Sequence, residues 1–220
     1  MELITNLPLA GGSTSTATCS EVLRLTSVSD LYNYASKCQQ EWSSTRRDLF
    51  LTHVEPQLAG LTTHEGERLI IQYLGEDLQW DWLNKALHTN SPEYDWFILQ
   101  CDSKIQGVLV AYHPKKSHTE SGDVFYIDYL AAAPWNRDTP KTKAQYRGIG
   151  TSLVATVADY YIRVHSYKPG FLLHSLPAAE GYYQGIGMTD LGIDPSKENL
   201  RQFEMGKTQC LGLLLRRRAS

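Results

Sequence analysis

The chain lacks the long apolar stretch that a membrane-spanning helix needs, which is about 20 residues. Its longest apolar runs, such as Leu130–Pro134 and Leu211–Leu215, are far shorter. The first 20 residues contain neither lysine nor arginine, and Leu7–Ala10 is too brief for the apolar core of a secretory signal. The sequence therefore predicts a cytoplasmic protein that does not contact a membrane.

Cysteine is scarce as well, since only four cysteines occur in 220 residues and none forms a CxxC pair. The seven histidines make no HxxxH or Cys/His cluster at the spacing of metal ligands. These absences argue against a disulfide framework and against a structural zinc. We expect no metal and four free thiols, at Cys19, Cys38, Cys101 and Cys210.

Neither charge dominates, because 21 lysines and arginines stand against 24 acidic residues and give a net charge of −3. The sequence therefore gives no reason to expect general attraction to phosphate backbones, and nucleic acid is not an expected partner. A chain of this length and composition buries about 70% of its unfolded surface as one globular domain. We place that domain at residues 21–216. A flexible leader at 1–20, rich in Gly, Ser, Thr and Ala, precedes it, and a basic tail at 217–220 follows.

Apolar spacing predicts a short strand, then three helices, then three strands, a helix, a strand and a short helix. The central strand is nearly all apolar or aromatic, which is typical of a strand covered on both faces, and Asp128 is the lone charge after its first residue, Asp123. A tail at Asn199–Arg216 carries strand-like stretches. The predicted strands are Glu21–Val28, Tyr94–Cys101, Ile105–Tyr112, Asp123–Ala133 and Gly170–Leu176. The predicted helices are Leu31–Trp42, Arg46–Leu58, Asp77–Leu87, Gly148–Val164 and Ala178–Ile186.

The most informative segment is Gln145-Tyr146-Arg147-Gly148-Ile149-Gly150-Thr151, which lies between the central strand and a strongly amphipathic helix. Glycines at a helix start let a ligand approach the backbone, and the unpaired amides of the first turn favour an anion such as a diphosphate. Two other phosphate motifs do not match. No lysine follows Gly150, as a P-loop requires, and Leu153 stands where a dinucleotide fingerprint has its third glycine.

Together with the later segment Ala179–Met188, this stretch resembles the GNAT acetyltransferase superfamily. Gln145–Gly150 is similar to its Q/R-x-x-G-x-G/A acyl-CoA signature, and Ala179–Met188 to its A-x-x-F-Y-x-x-x-G-F segment. The resemblance implies an α/β fold with a mixed, mostly antiparallel central sheet that is splayed at the cofactor site and has helices on both faces. It also implies acetyl-CoA as cosubstrate, without a metal, and an amine of a small molecule or protein as acceptor.

The resemblance implies roles for particular residues as well. Tyr183 matches a tyrosine that protonates the departing thiolate in many members. Asp128 lies near the position where members often have an acidic residue that accepts the amine proton, directly or through water. His174 is a further catalytic candidate. The implied cofactor-binding residues act through their main chain. They are Leu130, Ala131 and Ala132 along the pantetheine arm and thioester, and Gln145, Tyr146, Arg147, Gly148, Ile149, Gly150 and Thr151 around the diphosphate.

The chain departs from the family pattern in three places. Trp135–Ala144 is inserted before the signature, Leu176 stands where an asparagine is common, and the helical region between the first two strands is long. These departures leave the acceptor and the oligomeric state, a homodimer included, undetermined.

Each candidate side chain also has a structural interpretation. Asp128 could bond a neighbouring loop, Tyr183 could pack in the core, and His174 could be a satisfied interior histidine. Trp135 could line the substrate site or anchor the inserted loop. Two rival functions follow: a non-catalytic acyl-CoA-binding regulatory module, and an acetyltransferase acting on aminoacylated RNA.

Overall fold

The computed structural model describes residues 1–11 and 18–218, which form one eight-stranded sheet flanked by six α-helices. The strands are β1 (Glu2–Leu9), β2 (Thr18–Arg24), β3 (Tyr94–Cys101), β4 (Lys104–Lys116), β5 (Asp123–Ala132), β6 (Phe171–Ser175), β7 (Thr189–Asp194) and β8 (Leu200–Met205). The helices are α1 (Val28–Leu49), α2 (Thr63–Leu74), α3 (Trp82–His88), α4 (Ile149–Val164), α5 (Glu180–Gly185) and α6 (Lys207–Arg218). No helix in these ranges is long and apolar enough to cross a membrane.

The strand order is β1-β2-β3-β4-β5-β6-β8-β7, and every neighbouring pair is antiparallel except β5 and β6. β5 and β6 pair over only three residues of β5, Phe125 to Ile127. The two strands therefore separate beyond Ile127. The predicted mixed, mostly antiparallel sheet, splayed beside its central strand, is confirmed.

Alternation along the central strands places apolar side chains on both faces of the sheet. On β3, Trp96 and Ile98 pack with α1 and α3, whereas Phe97 and Leu99 pack with α4. Side chains on successive strand positions point to opposite faces, so one strand supplies both cores. The helices therefore cover both faces, as predicted.

The predicted ends of the domain are wrong in the described residues. Glu2–Leu9 is a strand rather than part of a flexible leader, and β2 begins at Thr18. Residues 12–17 of the predicted leader lie outside the described residues. At the other end, α6 runs through residues 217 and 218, which were predicted as tail, and a helix replaces the strand-like stretch after β8. Apolar burial explains these differences, because Leu9, Cys210 and Leu213 belong to the main core.

The helical region between β2 and β3 also differs from its prediction. α1 begins at Val28, where Ser27 caps it, and continues as π and 3-10 turns to Gln57, so the first two predicted helices are one. α2 was missed, although Thr62 and Glu65 form a capping box that the sequence displays. The third predicted helix starts only at Trp82, after the Asp81 cap.

Candidate active site

The separation of β5 from β6 opens a gap that begins at a β-bulge. Val110 of β4 pairs with Tyr129, while the next residue, Ala111, pairs with Ile127, so Asp128 is the extra residue of β5. A bulge increases local twist and bends its strand. Beyond Asp128, β5 runs along β4 alone and leaves one edge without a strand partner.

The ladder between β4 and β5 shows which backbone groups face this gap. The Ala133 amide donates to the Gln106 carbonyl at 2.9 Å, and Ala131 pairs with Val108 two residues back along β5. Hydrogen-bonded pairs alternate in an antiparallel ladder, so the amide and carbonyl groups of Leu130 and Ala132 point away from β4. Of the three predicted strand residues, Leu130 and Ala132 therefore offer backbone groups to a ligand, and Ala131 does not.

Arg137, in the inserted loop, closes the far end of the gap. Its guanidinium donates to the Ala132 carbonyl at 2.8 and 3.1 Å, and to both carboxylate oxygens of Asp77 at 2.5 and 2.7 Å. Arg46 of α1 also binds Asp77, at 3.0 Å. Burial alone would raise the pKa of Asp77, but the hydrogen bonds and charges of the two arginines hold it below its usual value. The Ala132 carbonyl is thus engaged, and Leu130 supplies the open backbone groups.

The predicted diphosphate turn sits at the start of α4. Gly148 has φ of +75°, a left-handed conformation that suits glycine, and it precedes the first helical residue. The amides of Ile149, Gly150 and Thr151 belong to the first turn and have no intrahelical acceptor. A Cβ built on Gly150 would lie 3.9 Å from the Leu130 side chain, so this turn adjoins the gap.

Three amides of the predicted set are already engaged. The Tyr146 amide donates to Asn136 Oδ1 at 3.1 Å, the Arg147 amide to the Ala10 carbonyl at 3.3 Å, and the Gln145 amide to the Trp135 carbonyl at 2.9 Å. Inside the signature, the predicted amides that remain open to a ligand are therefore those from Gly148 onward. The side chain of Tyr146 is buried in the core rather than turned to the site.

The two adjacent tyrosines of α5 have different surroundings. Tyr182 is exposed, and its hydroxyl lies 2.7 Å from Thr151 Oγ1 at the start of α4. Tyr183 is buried and packs against Phe203, yet it lines the cleft, and its hydroxyl has no hydrogen-bond partner among the described residues. Burial raises the pKa of Tyr183, so the phenol keeps its proton at neutral pH. Tyr183 therefore has a proton to donate, as the resemblance implies.

Asp128, Tyr183 and Leu130 line one cleft of about 840 Å³. The Asp128 carboxyl group makes no hydrogen bond or ion pair with any described residue, so the loop bond considered from sequence is absent from this part of the chain. Burial raises its pKa, and the positive charges of Lys197 and Lys85 oppose that shift. A carboxyl group of this kind can accept a proton once it is ionised.

His174 lies in the same cleft, but both of its ring nitrogens are engaged. Nδ1 is 2.7 Å from the Tyr126 hydroxyl, and Nε2 is 3.1 Å from a carboxylate oxygen of Asp194. Burial lowers the pKa of His174 despite the nearby Asp194 carboxylate. His174 is thus a satisfied interior histidine that joins the cleft to Asp194. Neither Tyr126 nor Asp194 was predicted from sequence.

One wall of the cleft is aromatic and charged. Trp80 and Tyr129 meet edge to face at 5.1 Å between ring centroids, and the Lys85 ammonium lies over both rings. Lys197 and Glu198, in the turn between β7 and β8, also line the cleft. No local sequence pattern marks this wall, because its residues come from three separated segments. Trp135 does not line the cleft; its indole donates to Gln106 at 2.8 Å and anchors the inserted loop.

A second polar cluster lies away from the cleft. Asp95, His113 and His165 bring potential metal-ligand atoms within 4.8 Å of one another. The Asp95 carboxylate is already bound by Arg24 and Tyr161, each at 2.8 Å, and by His113 at 3.0 Å. These bonds offset the effect of burial and lower the pKa of Asp95.

The four cysteines are free, as predicted.

No protein-family model matches this sequence, and no curated protein does. Solved structures similar to it include GNAT acetyltransferases. The apo structure of FdhC, a nucleotide-linked sugar GNAT, has 11% identity and a TM-score of 0.49 and covers 96% of each chain. The PaiA N-acetyltransferase of Thermoplasma acidophilum, in complex with coenzyme A, has 13% identity and a TM-score of 0.43, covering 83% of this chain and 97% of that one. An aminoglycoside acetyltransferase from an uncultured soil metagenomic sample has 15% identity and a TM-score of 0.41, covering 76% and 84%.

Proposed function

We propose that the protein is an acetyl-CoA-dependent N-acetyltransferase that moves an acetyl group to an amine of a small molecule or protein by direct attack on the thioester. One observation carries this proposal: the open edge of β5 at Leu130 adjoins the first turn of α4 at Gly150. A diphosphate bound at the helix start would continue into an extended arm along a strand edge. Acetyl-CoA combines those two shapes with a thioester at the end of the arm.

The backbone supplies binding and charge stabilisation. The amides of Ile149, Gly150 and Thr151, together with the helix dipole, suit the diphosphate. The Leu130 amide faces the gap and suits the thioester oxygen, where negative charge develops as the amine attacks. Holding both reactants in one cleft would lower the barrier further, because a bimolecular encounter becomes a local one.

The acceptor reaches the cleft as an ammonium ion and must lose a proton before it attacks. Asp128 is the proposed base, acting directly or through a water molecule, because its carboxyl group is unpartnered and lines the cleft. His174 could pass a proton toward Asp194 but would first have to give up one of its two hydrogen bonds.

Tyr183 is the proposed acid. The carbon–sulfur bond breaks as the new carbon–nitrogen bond forms, and the departing thiolate takes a proton from the unpartnered hydroxyl of Tyr183. The raised pKa of that phenol favours the protonated form before the reaction. General acid and base steps of this kind each contribute about 10²- to 10⁴-fold.

Two measurements test the proposal. Acetyl-CoA at about a hundred times its dissociation constant should stabilise the folded protein by roughly 2.7 kcal/mol, which a thermal-shift assay detects. Coenzyme A release should then be measured against monoamines, polyamines, amino acids and lysine peptides. An unchanged midpoint with both acetyl-CoA and coenzyme A would contradict the proposal, whereas binding without release for any amine would indicate the regulatory module.

A further inference from the structure

Lys85 is a lysine that the proposed reaction does not use, although it lies in the same cleft as Asp128 and Tyr183. It projects from the short helix α3, and its ammonium lies 3.4 Å from the ring centroid of Tyr129 and 4.7 Å from that of Trp80. Tyr129 stands between the bulge and Leu130 in the chain. Lys85 is therefore held against the strand segment that faces the thioester site.

The surroundings of Lys85 shift it toward its neutral form, compared with an ordinary lysine. Its ammonium makes no ion pair or hydrogen bond with any described residue, and aromatic faces replace part of its water. This loss of hydration lowers the pKa of Lys85 to about 8, against the opposing charges of Asp128, Glu198, Asp77 and Asp81. At pH 8 about half of such a lysine is neutral, compared with less than about 1% of an ordinary one.

We propose that Lys85 is a self-acetylation site, an inference that rests on the proposed function. The neutral Nζ attacks the thioester carbon of bound acetyl-CoA, a carbon–nitrogen bond forms, and the carbon–sulfur bond breaks. The extra proton on nitrogen leaves through Asp128 or water, and the thiolate takes a proton from Tyr183. Acetyl-lysine and coenzyme A are the products, and no oxidant or further reactant is needed.

The modification would change the cleft itself. An acetylated Lys85 loses its positive charge and with it the attraction to the faces of Trp80 and Tyr129. Its added acetyl group also takes up room beside Trp80 and Tyr129, on the aromatic wall of the cleft. Self-acetylation would therefore slow the transfer to an external amine, most strongly where acetyl-CoA is abundant and acceptor is scarce.

Mass spectrometry of the full chain incubated with acetyl-CoA at pH 8 tests the proposal. Lys116 is a matched internal control, because its side chain is 81% exposed and ion-paired with Asp123. We expect Lys85 to gain one acetyl group at least about tenfold faster than Lys116, with a half-time that does not depend on protein concentration. Excess coenzyme A should slow acetylation at Lys85 and leave Lys116 unaffected.

Two variants sharpen the experiment. Tyr183→Phe should slow acetylation of Lys85 but not of Lys116. Lys85→Arg keeps the positive charge but cannot be acetylated in this way. Incubation with acetyl-CoA should therefore lower the later rate of transfer to an external amine in the parent protein, and should not lower it in the variant.

Several results would overturn the inference. One is an unmodified Lys85 in a protein that releases coenzyme A with an external amine, and this leaves the proposed function standing. Another is acetylation of Lys85 at the rate of Lys116, or without protection by coenzyme A, which indicates simple chemical reactivity. A protein that does not bind acetyl-CoA at all overturns both proposals.

Discussion

The turn at the start of α4 and the aromatic wall of the cleft consist of different kinds of groups. The proposed role of the turn in cofactor binding uses main-chain amides from Gly148 onward, whereas the wall consists of the side chains of Trp80, Lys85 and Tyr129. Backbone sites need a particular conformation and tolerate many side chains. Side-chain sites need particular residues brought together from distant segments. This difference explains why the turn has a short sequence motif and the wall has none. Four substitutions test this comparison.

The largest effect is expected at Tyr183, which lines the cleft. Tyr183→Phe keeps the ring and removes the proton, so turnover should fall by about 10²- to 10⁴-fold while acetyl-CoA affinity stays near that of the parent. Steady-state rates and a binding titration measure the two quantities. Tyr182→Phe, the matched control, loses only the exposed bond to Thr151 and should be far milder. Equal losses in both variants would reject the assignment and shift attention to His174.

Asp77→Ala should have the next largest effect, and on stability rather than chemistry. The substitution leaves the buried guanidinium group of Arg46 and the partly buried one of Arg137 without their carboxylate, and breaking a buried pair typically costs about 3–5 kcal/mol. Urea unfolding measures the loss. Asp81→Ala removes a carboxylate that caps α3 from an exposed position and should cost about 1 kcal/mol. Similar costs for the two variants would show that the buried network contributes little.

Asp128→Asn tests the base and the direction of its pH dependence. Because burial raises the pKa of Asp128, the carboxyl group ionises above its ordinary value of about 4, and activity should rise with pH through that raised pKa. The variant should lose this rise and about 10²-fold in kcat/KM. His174→Gln, as the comparison, should keep the rise. A rate profile of the same shape in Asp128→Asn and the parent argues against Asp128 as the base.

Gly150→Val addresses the turn alone. A Cβ there makes only an ordinary contact, 3.9 Å from the Leu130 side chain, but in the proposal it projects where the diphosphate approaches the backbone. Coenzyme A affinity should fall by about tenfold or more, equivalent to about 1.4 kcal/mol. Gly212→Val in α6, where a Cβ would likewise lie 3.9 Å from its nearest neighbour, Arg216 Nη1, controls for valine in a helix. A folded Gly150→Val protein that binds coenzyme A as the parent does would remove the diphosphate assignment.

The sequence predicted well those parts of the fold whose pattern is local. β3, β5 and α4 lie within two residues of their predicted bounds, because strand alternation, a long apolar run and helical spacing mark them. The hairpin turn was also correct, and Asp102 and Ser103 both have positive φ. α2 was not predicted, although Thr62 and Glu65 form a local capping signal at its start.

The candidate site was predictable only in part, for the same reason. The glycine spacing marks the turn, but nothing local shows that Asn136 already binds the Tyr146 amide or that Arg137 occupies the Ala132 carbonyl. Those bonds depend on the inserted loop folding back over the strand end. The pairings of His174 with Tyr126 and Asp194 likewise arise only when β5, β6 and β7 form one sheet.

The bond from the Arg147 amide to the Ala10 carbonyl joins the cofactor turn to the first strand of the chain. A shortened protein starting at Glu21, the boundary that composition alone suggests, would lose this support together with β1 and half of β2. It would also leave the remaining residues of β2, Glu21–Arg24, as a short sheet edge without β1, and such edges template aggregation. Poor solubility of that fragment would reflect a broken sheet, and weak coenzyme A binding by it would say little about the intact site.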